Sequence, residues 1–382
     1  MYSSPITMLV VLLATVMAIM GCTVPGPSTL QATQSDSSAA SQQNVSSIGE
    51  MPPPSPVLSS QPDTQPHLVR AGLQAAASDA AIFVALERGY LQEVGITLEY
   101  ENFSSASDMI PALSTGRLDI AGIGSTAATY NAFARGTGIR LVADKGSTPP
   151  GAGYMALVVR KDHVDSGRFR QASDLRGMTI AVTPPRNGTA NSVALGRLLA
   201  DTGVSQETVN ILNIPFGDMV SALGGKSVDA AYMIEPSIRA ALRNDLGVRW
   251  KGNDELYPNQ QVGILGYAPD FVRDRPEVAQ AFMIAYLRGA RDYNDAFMKH
   301  DPAKRAVVVE ILTRHTSIKD PVLFESMVPA GINPNGWINV DSMEFDQQWF
   351  LDQGTVERPV DLRQLIDHRY VENALQELGE YR

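Results

Sequence analysis

From residue 67 onward, short runs of aliphatic and β-branched residues alternate with longer amphipathic stretches, and this alternation leaves few architectures open. Strands that take turns with helices pack as a largely parallel sheet covered by helices, so the fold class is α/β. A strand over 68–73 leads to a helix that starts near Asp79 and buries Ile82, Phe83, Leu86 and Tyr90. Gly95 closes that helix, and 96–100 alternates as a strand. A helix over 107–114, a strand over 118–123, a helix from 127 through Ala134 and strands over 139–143 and 156–160 complete a first set. A second set follows: strand 178–182, helix 189–201 closed by Gly203, strand 209–212, helix 218–223, strand 228–233 and a helix beginning at Pro236. Proline suits a first helical turn, because the N–H it lacks would be unpaired there. After a strand at 262–267 the chain reads mostly as helix, notably over Pro276–Phe297, 302–313 and 361–378.

The 316 residues from 67 to 382 exceed what one hydrophobic core usually serves, so two lobes are expected. An internal echo agrees. Ala112-Leu113, Gly116, Leu118-Asp119 and Ala121 are answered by Ala222-Leu223, Gly225, Val228-Asp229 and Ala231. In both places a helix ends, turns at glycine and enters a strand through an acidic residue.

The amino end sets the compartment. Residues 6–20 are almost wholly apolar and uncharged, too short to span a bilayer but suited to the core of a secretory signal. Ile19-Met20-Gly21-Cys22 then resembles the lipobox of bacterial lipoproteins, with Cys22 the one cysteine of the chain and hence no internal disulfide. Cys22 is therefore the expected lipidation site, and 1–21 the expected signal peptide, although no Lys or Arg precedes the apolar core. Residues 22–66, rich in Ser, Gln, Ala and Pro, read as a disordered tether with a reach on the order of 35–40 Å. A net charge of −10 speaks against nucleic acid as a partner. No second apolar run is long enough to cross a membrane, so the lipid is the expected sole attachment.

Several short segments, in their order and spacing, resemble the solute-binding proteins of nitrate, sulfonate, taurine and thiamine-precursor ABC importers. They are Ala85-Leu86-Glu87-Arg88-Gly89-Tyr90 with Gly95-Ile96, Ala112-Leu113-Ser114-Thr115-Gly116-Arg117-Leu118-Asp119, and Ala132-Phe133-Ala134-Arg135-Gly136. Asp174-Leu175-Arg176-Gly177, Asp229-Ala230-Ala231, Glu235-Pro236 and Arg275-Pro276-Glu277 continue the series. The resemblance implies a two-lobed periplasmic binding protein type II fold with hinge-linked lobes and a helical C-terminal part. Lobe 1 is expected to hold 67–160 and 264–382, lobe 2 to hold 161–263, with crossing strands near 156–160 and 262–267. It also implies a monomer that captures a small-molecule solute on the extracytoplasmic face of the cell membrane and delivers it to an ABC permease and its ATPase, with no cofactor.

Ligands of open α/β sheets bind beyond the carboxyl ends of strands, where helix N-termini present free N–H groups. Three turns qualify: Ser78-Asp79, Ser125-Thr126 and Asn187-Gly188-Thr189-Ala190-Asn191. Ser, Thr, Asp and Asn are also the ordinary helix-capping residues. Glu235, at a strand end, would accept hydrogen bonds from N–H or O–H groups of a guest and repel an anion. Tyr130, Tyr154, Phe216, Tyr232 and Tyr267 lie near strand ends or hinges and could stack a planar ring. With no Lys or Arg in the three turns except Arg186, a planar N-heterocycle fits better than a small anion, and riboflavin is the single best choice. Sulfonate, taurine or nitrate is the alternative.

An enzyme of the thiamine-pyrimidine synthase type shares this fold, but needs a cysteine-rich iron site. Cys22 is assigned to lipid, and His67, His163, His300, His315 and His368 show no metal spacing. Neither a nucleophile elbow nor a phosphate loop is present. Binding without catalysis is the expectation.

Overall fold

The computed structural model describes residues 65–183, 186–316 and 318–382; the signal, Cys22 and nearly all of the tether lie outside them. Among the described residues ten strands form two sheets of five. In chain order they are β1 (His67–Leu73), β2 (Ile96–Asn102), β3 (Ile120–Gly124), β4 (Arg140–Ser147), β5 (Met155–Arg160), β6 (Thr179–Val182), β7 (Asn210–Asn213), β8 (Ala230–Ile234), β9 (Gly247–Gly252) and β10 (Gln261–Tyr267).

The first sheet has the order β2-β1-β3-β10-β4 and the second β7-β6-β8-β5-β9. In the first, β1 runs parallel to β2 and β3, and β10 runs antiparallel to β3 and β4. In the second, β6 runs parallel to β7 and β8, and β5 runs antiparallel to β8 and β9. The two topologies are therefore the same, and in each sheet the reversed strand is the one that follows a passage between sheets, β5 in the second and β10 in the first. The echoed acidic residues perform the same task in both. Asp119, before β3, accepts the Arg70 N–H at 2.8 Å, and Asp229, before β8, accepts the Thr179 N–H at 2.9 Å. Each carboxylate thus ties the strand it precedes to its parallel neighbour, β3 to β1 and β8 to β6.

The chain passes between the sheets over 148–154 and again over 253–260. The strands at 156–160 and 262–267, read from the sequence as crossings, each lie within a single sheet, the second and the first respectively. Strand β9 was not singled out from the sequence, because its alternation Val248-Arg249-Trp250-Lys251 is only four residues long between two glycines.

The helical remainder covers the first sheet. Helix Pro276–Phe297 lies against helix Ala80–Glu87 so closely that a Cβ at Gly289 would collide with the backbone oxygen of Ala81. The single helix expected over 361–378 is two, Leu362–Leu365 and Arg369–Leu378. Between them Ile366 bridges to Leu141, and the Asp367 N–H bonds the Leu141 oxygen at 2.8 Å, so sheet pairing interrupts the helix. Residues 330 and 331 pair with Gly153 and Ser147 alongside the first crossing. Helix Val340–Asp352 follows and lies against helices Ala127–Ala134 and Ala190–Asp201. No described helix is long and apolar enough to cross a membrane.

Candidate solute site at the inter-sheet crossings

At the carboxyl end of β1 the chain turns through Ser78 and Asp79 into helix Ala80–Glu87. Asp79 is wholly buried, and its Oδ2 accepts the N–H groups of Gln74 (3.1 Å) and Ala76 (3.0 Å), which fixes the turn. Lys145, from the end of β4, places its Nζ 2.7 Å from Asp79 Oδ1 and donates to Ser78 Oγ at 3.1 Å. Its stem crosses Gly122 of β3, where any Cβ would collide with Lys145 Cε, so the glycine is what lets the lysine reach the turn. The Tyr154 hydroxyl and Ser78 Cβ both stand beside Gly146, 3.2 and 3.5 Å from where a Cβ there would lie. Burial pushes the Tyr154 hydroxyl well above the usual tyrosine range and keeps it a neutral donor.

The second turn follows β3. Thr126 caps helix Ala127–Ala134, accepting the Thr129 N–H at 3.3 Å. Ser125 is buried and donates to Asp346 Oδ2 at 3.0 Å. The Ala127 N–H bonds the Gly188 oxygen at 3.1 Å, so the rims of the two sheets touch here.

The third turn opens the second sheet's helix Ala190–Asp201. Asn187 adopts a left-handed backbone with φ of 56°, which asparagine tolerates, and its amide is engaged by Gln353 and Gln206 at 2.9 and 3.1 Å. Asn191 accepts from Thr183 (2.9 Å) and from Thr189, but its Nδ2 is buried with no hydrogen-bond partner among the described residues. A buried donor left unpaired costs free energy of order 1–3 kcal/mol, so a site that keeps one is poised for an acceptor. Gln260 of the second crossing holds the helix start by donating to the Ala190 oxygen at 3.0 Å.

Glu235, 6% exposed, sits at the end of β8 with its own N–H on the Tyr154 oxygen at 2.9 Å. Its oxygens already accept the N–H groups of Arg239 (3.1 Å) and Val328 (3.4 Å), and burial raises its pKa above the ordinary glutamate value. The aromatic residues are not gathered into a wall. Tyr130, Tyr232 and Tyr267 are wholly buried, with hydroxyls donating to Met343 oxygen, Asn253 Oδ1 and Ala279 oxygen respectively. Phe216, half-buried, packs on the smaller apolar cluster with Met219 and Ile238. Of the five, Tyr154 is the one whose hydroxyl stands beside Gly146, the residue after the lysine.

Lys145 is the residue that sequence reasoning passed over. Its one signal was the adjacent pair Asp144-Lys145 inside an otherwise apolar strand, and nothing local shows that β4 would bring it onto the Ser78 turn. Among the described residues no group of three His, Cys, Asp or Glu could hold a metal. A cavity of about 430 Å³, lined by Arg70, Asp119, Phe271 and Arg275, opens at the other rim of the first sheet, where both guanidiniums already pair with Asp119.

Comparison with known proteins places the chain in a family and a fold. Residues 62–313 match the NMT1-like family. The taurine-binding periplasmic protein of Escherichia coli K12 is 27% identical over 235 residues, 59% of this chain and 66% of that protein. A Brucella abortus protein named for a binding role is 25% identical over 215 residues, 56% of this chain and 62% of its own length. The chain thus spans just under two thirds of each. Among solved structures, the Escherichia coli periplasmic aliphatic sulphonate binding protein has a TM-score of 0.64 at 20% identity, covering 80% of this chain and 93% of its own. The Synechocystis periplasmic nitrate-binding protein gives 0.63 at 14% identity, covering 82% and 89%. The fold is that of the type II periplasmic binding proteins.

Proposed function

Because the chain belongs to the NMT1-like family, we propose that it is an extracytoplasmic solute-binding protein of an ABC importer, anchored by lipid at Cys22 and acting as a monomer. The solute enters between the two sheets, hinge closure over the 148–154 and 253–260 crossings buries it, and the closed form docks on the permease. The chain binds and releases; it does not turn its solute over.

The observation that carries the solute class is Lys145. A buried ammonium beside a helix start and on the Ser78 hydroxyl, the Tyr154 hydroxyl beside Gly146, and the Asn191 amide unpaired on the second rim are a set of donors. Such a set suits a small organic solute with an acidic or acceptor-rich head, the sulfonate or taurine type of guest. Riboflavin is the second reading, favoured by the buried Glu235 carboxyl next to Tyr154.

A thermal-shift screen of taurine, alkanesulfonates, nitrate, riboflavin and the thiamine pyrimidine tests both, since a guest bound only by the native state raises the melting temperature. A rise with a sulfonate that disappears in Lys145→Met is the expected result. A rise with riboflavin alone, unaffected by that substitution, would replace the first reading with the second. Recovering the solute chemically altered would reject both.

A further inference from the structure

Helix Val340–Asp352 is held by both halves of the molecule, and the group at its centre is a carboxyl. Towards the first sheet, Asp346 Oδ2 accepts Ser125 Oγ at 3.0 Å, and Tyr130 donates to the Met343 oxygen at 2.9 Å. Towards the second, Tyr257 of the 253–260 crossing donates to Asp346 Oδ1 at 3.1 Å. The Arg197 guanidinium of helix Ala190–Asp201 lies 4.5 Å from the Tyr257 ring and 5.2 Å from the Phe345 ring. Past the helix, Gln353 and Thr355 bond Asn187 at 2.9 Å each. One carboxyl therefore stands where the two rims and one crossing meet.

We propose that Asp346 is a proton-operated clasp on this binding protein: closing the two sheets over the helix Val340–Asp352 draws a proton onto its carboxyl, and losing that proton favours opening. The inference rests on the solute-capture reading above, whose closed state it regulates.

Hydrogen counting supports it. Tyr130 spends its proton on the Met343 oxygen, so Ser125, 3.0 Å from the Tyr130 oxygen, has one proton for two acceptors. On the other side Ser342 Oγ can donate to the Tyr257 oxygen, which leaves the Tyr257 proton for Asp346, so the deficit is the one at Ser125. A protonated Asp346 supplies the missing donor; an ionised one leaves the cluster short. The groups that face it are Ser125 and Tyr130 from the first rim, Tyr257 and Gln260 from the crossing, Ser342 from its own helix and Arg197 from the second-sheet helix. Arg197 lies on the aromatic rings and is shared with Asp201 at 3.7 Å, so it does not neutralise the carboxyl by direct pairing. Asp346 is fully buried, and desolvation, partly offset by its hydroxyl partners, lifts its pKa to about 7.

The sign follows from linkage. With the sheets apart and the carboxyl hydrated, it would titrate near the ordinary aspartate value of about 3.9. The closed form then holds more protons between about pH 4 and 7, so closure is favoured at the acid end and lost as pH rises through about 7.

The test uses the full chain with Cys22→Ser and dyes on Glu99→Cys, in β2, and Glu207→Cys, beyond helix Ala190–Asp201; both positions are exposed. Single-molecule energy transfer without added solute should show the closed-to-open ratio falling by up to about tenfold per pH unit as pH rises towards 7. Asp346→Asn, which cannot ionise, should flatten that dependence. An unchanged pH dependence in Asp346→Asn, or none in the parent, overturns the proposal. Should the variant fail to fold, carboxyl carbon NMR of the unsubstituted protein decides: a midpoint near 7 supports the clasp and one near 4 rejects it. A blank solute screen beside a working titration would reject the importer reading and leave the clasp standing.

Discussion

Lys145 and Asp79 form a buried pair whose value lies in being intact. Their side chains are 2% and 0% exposed, and the pair is 2.7 Å apart. Removing one member of such a pair leaves the other charge stranded in a poorly solvating site, at a cost of about 3–5 kcal/mol. Lys145→Met is therefore expected to lower the unfolding free energy by that amount in urea titration, in addition to abolishing capture of an acidic solute. Asp79 was legible from the sequence as a turn residue, because Asp before an apolar helical run is a local signal. Lys145 was not, because its partner lies 66 positions earlier (79 against 145) and only the sheet order brings β4 to that turn.

At the scale of elements, two glycines decide how closely helices approach. Alanine in a helix interior is normally preferred to glycine by about 1 kcal/mol. At Gly289, facing the Ala81 backbone oxygen, the preference should reverse, and Gly289→Ala should destabilise the fold by about 1–3 kcal/mol in the same titration. Gly196, inside helix Ala190–Asp201, faces the indole of Trp349, with Nε1 only 2.6 Å from a would-be Cβ. Gly196→Ala should push helix Val340–Asp352 off the second sheet's helix, which faster amide exchange in 340–352 would report. Both helices Pro276–Phe297 and Ala190–Asp201 were visible as periodic apolar patterns. Helix Val340–Asp352 was not singled out, because Asp346 and Gln347 fall among its buried positions between Met343 and Phe350 and blur the apolar stripe.

For the molecule as a whole, buried carboxyls whose pKa values are raised, Asp144, Asp346 and Glu235, shape the pH response. Burial raises Asp144 to about 6, against its bonds from Asn333, Gln261 and Gly146, and Asp346 to about 7. Both pKa values lie above the unfolded aspartate value, so the folded chain binds the extra protons. Their contribution is fully present below about pH 4 and is lost as pH rises through 6 and 7, at about 1.4 kcal/mol per pH unit for each proton. Urea unfolding at pH 5 and pH 8 should accordingly show lower stability at pH 8, with most of the difference removed in Asp346→Asn.

The alternation of apolar runs, the glycine turns and the acidic residues that open β3 and β8 are local properties, so the sequence alone determined an α/β fold built twice. The three helix-start turns were legible for the same reason, since capping depends on neighbours along the chain. The tertiary structure decided which of those turns receives a charge, which tyrosines are core, and where the chain crosses between sheets. Those outcomes depend on strand order and on the return of 327–355 across both sheets. Contacts between residues as distant as Ser125 and Asp346 leave no periodic trace in a sequence, because burial there is conferred by the partner and not by the neighbours.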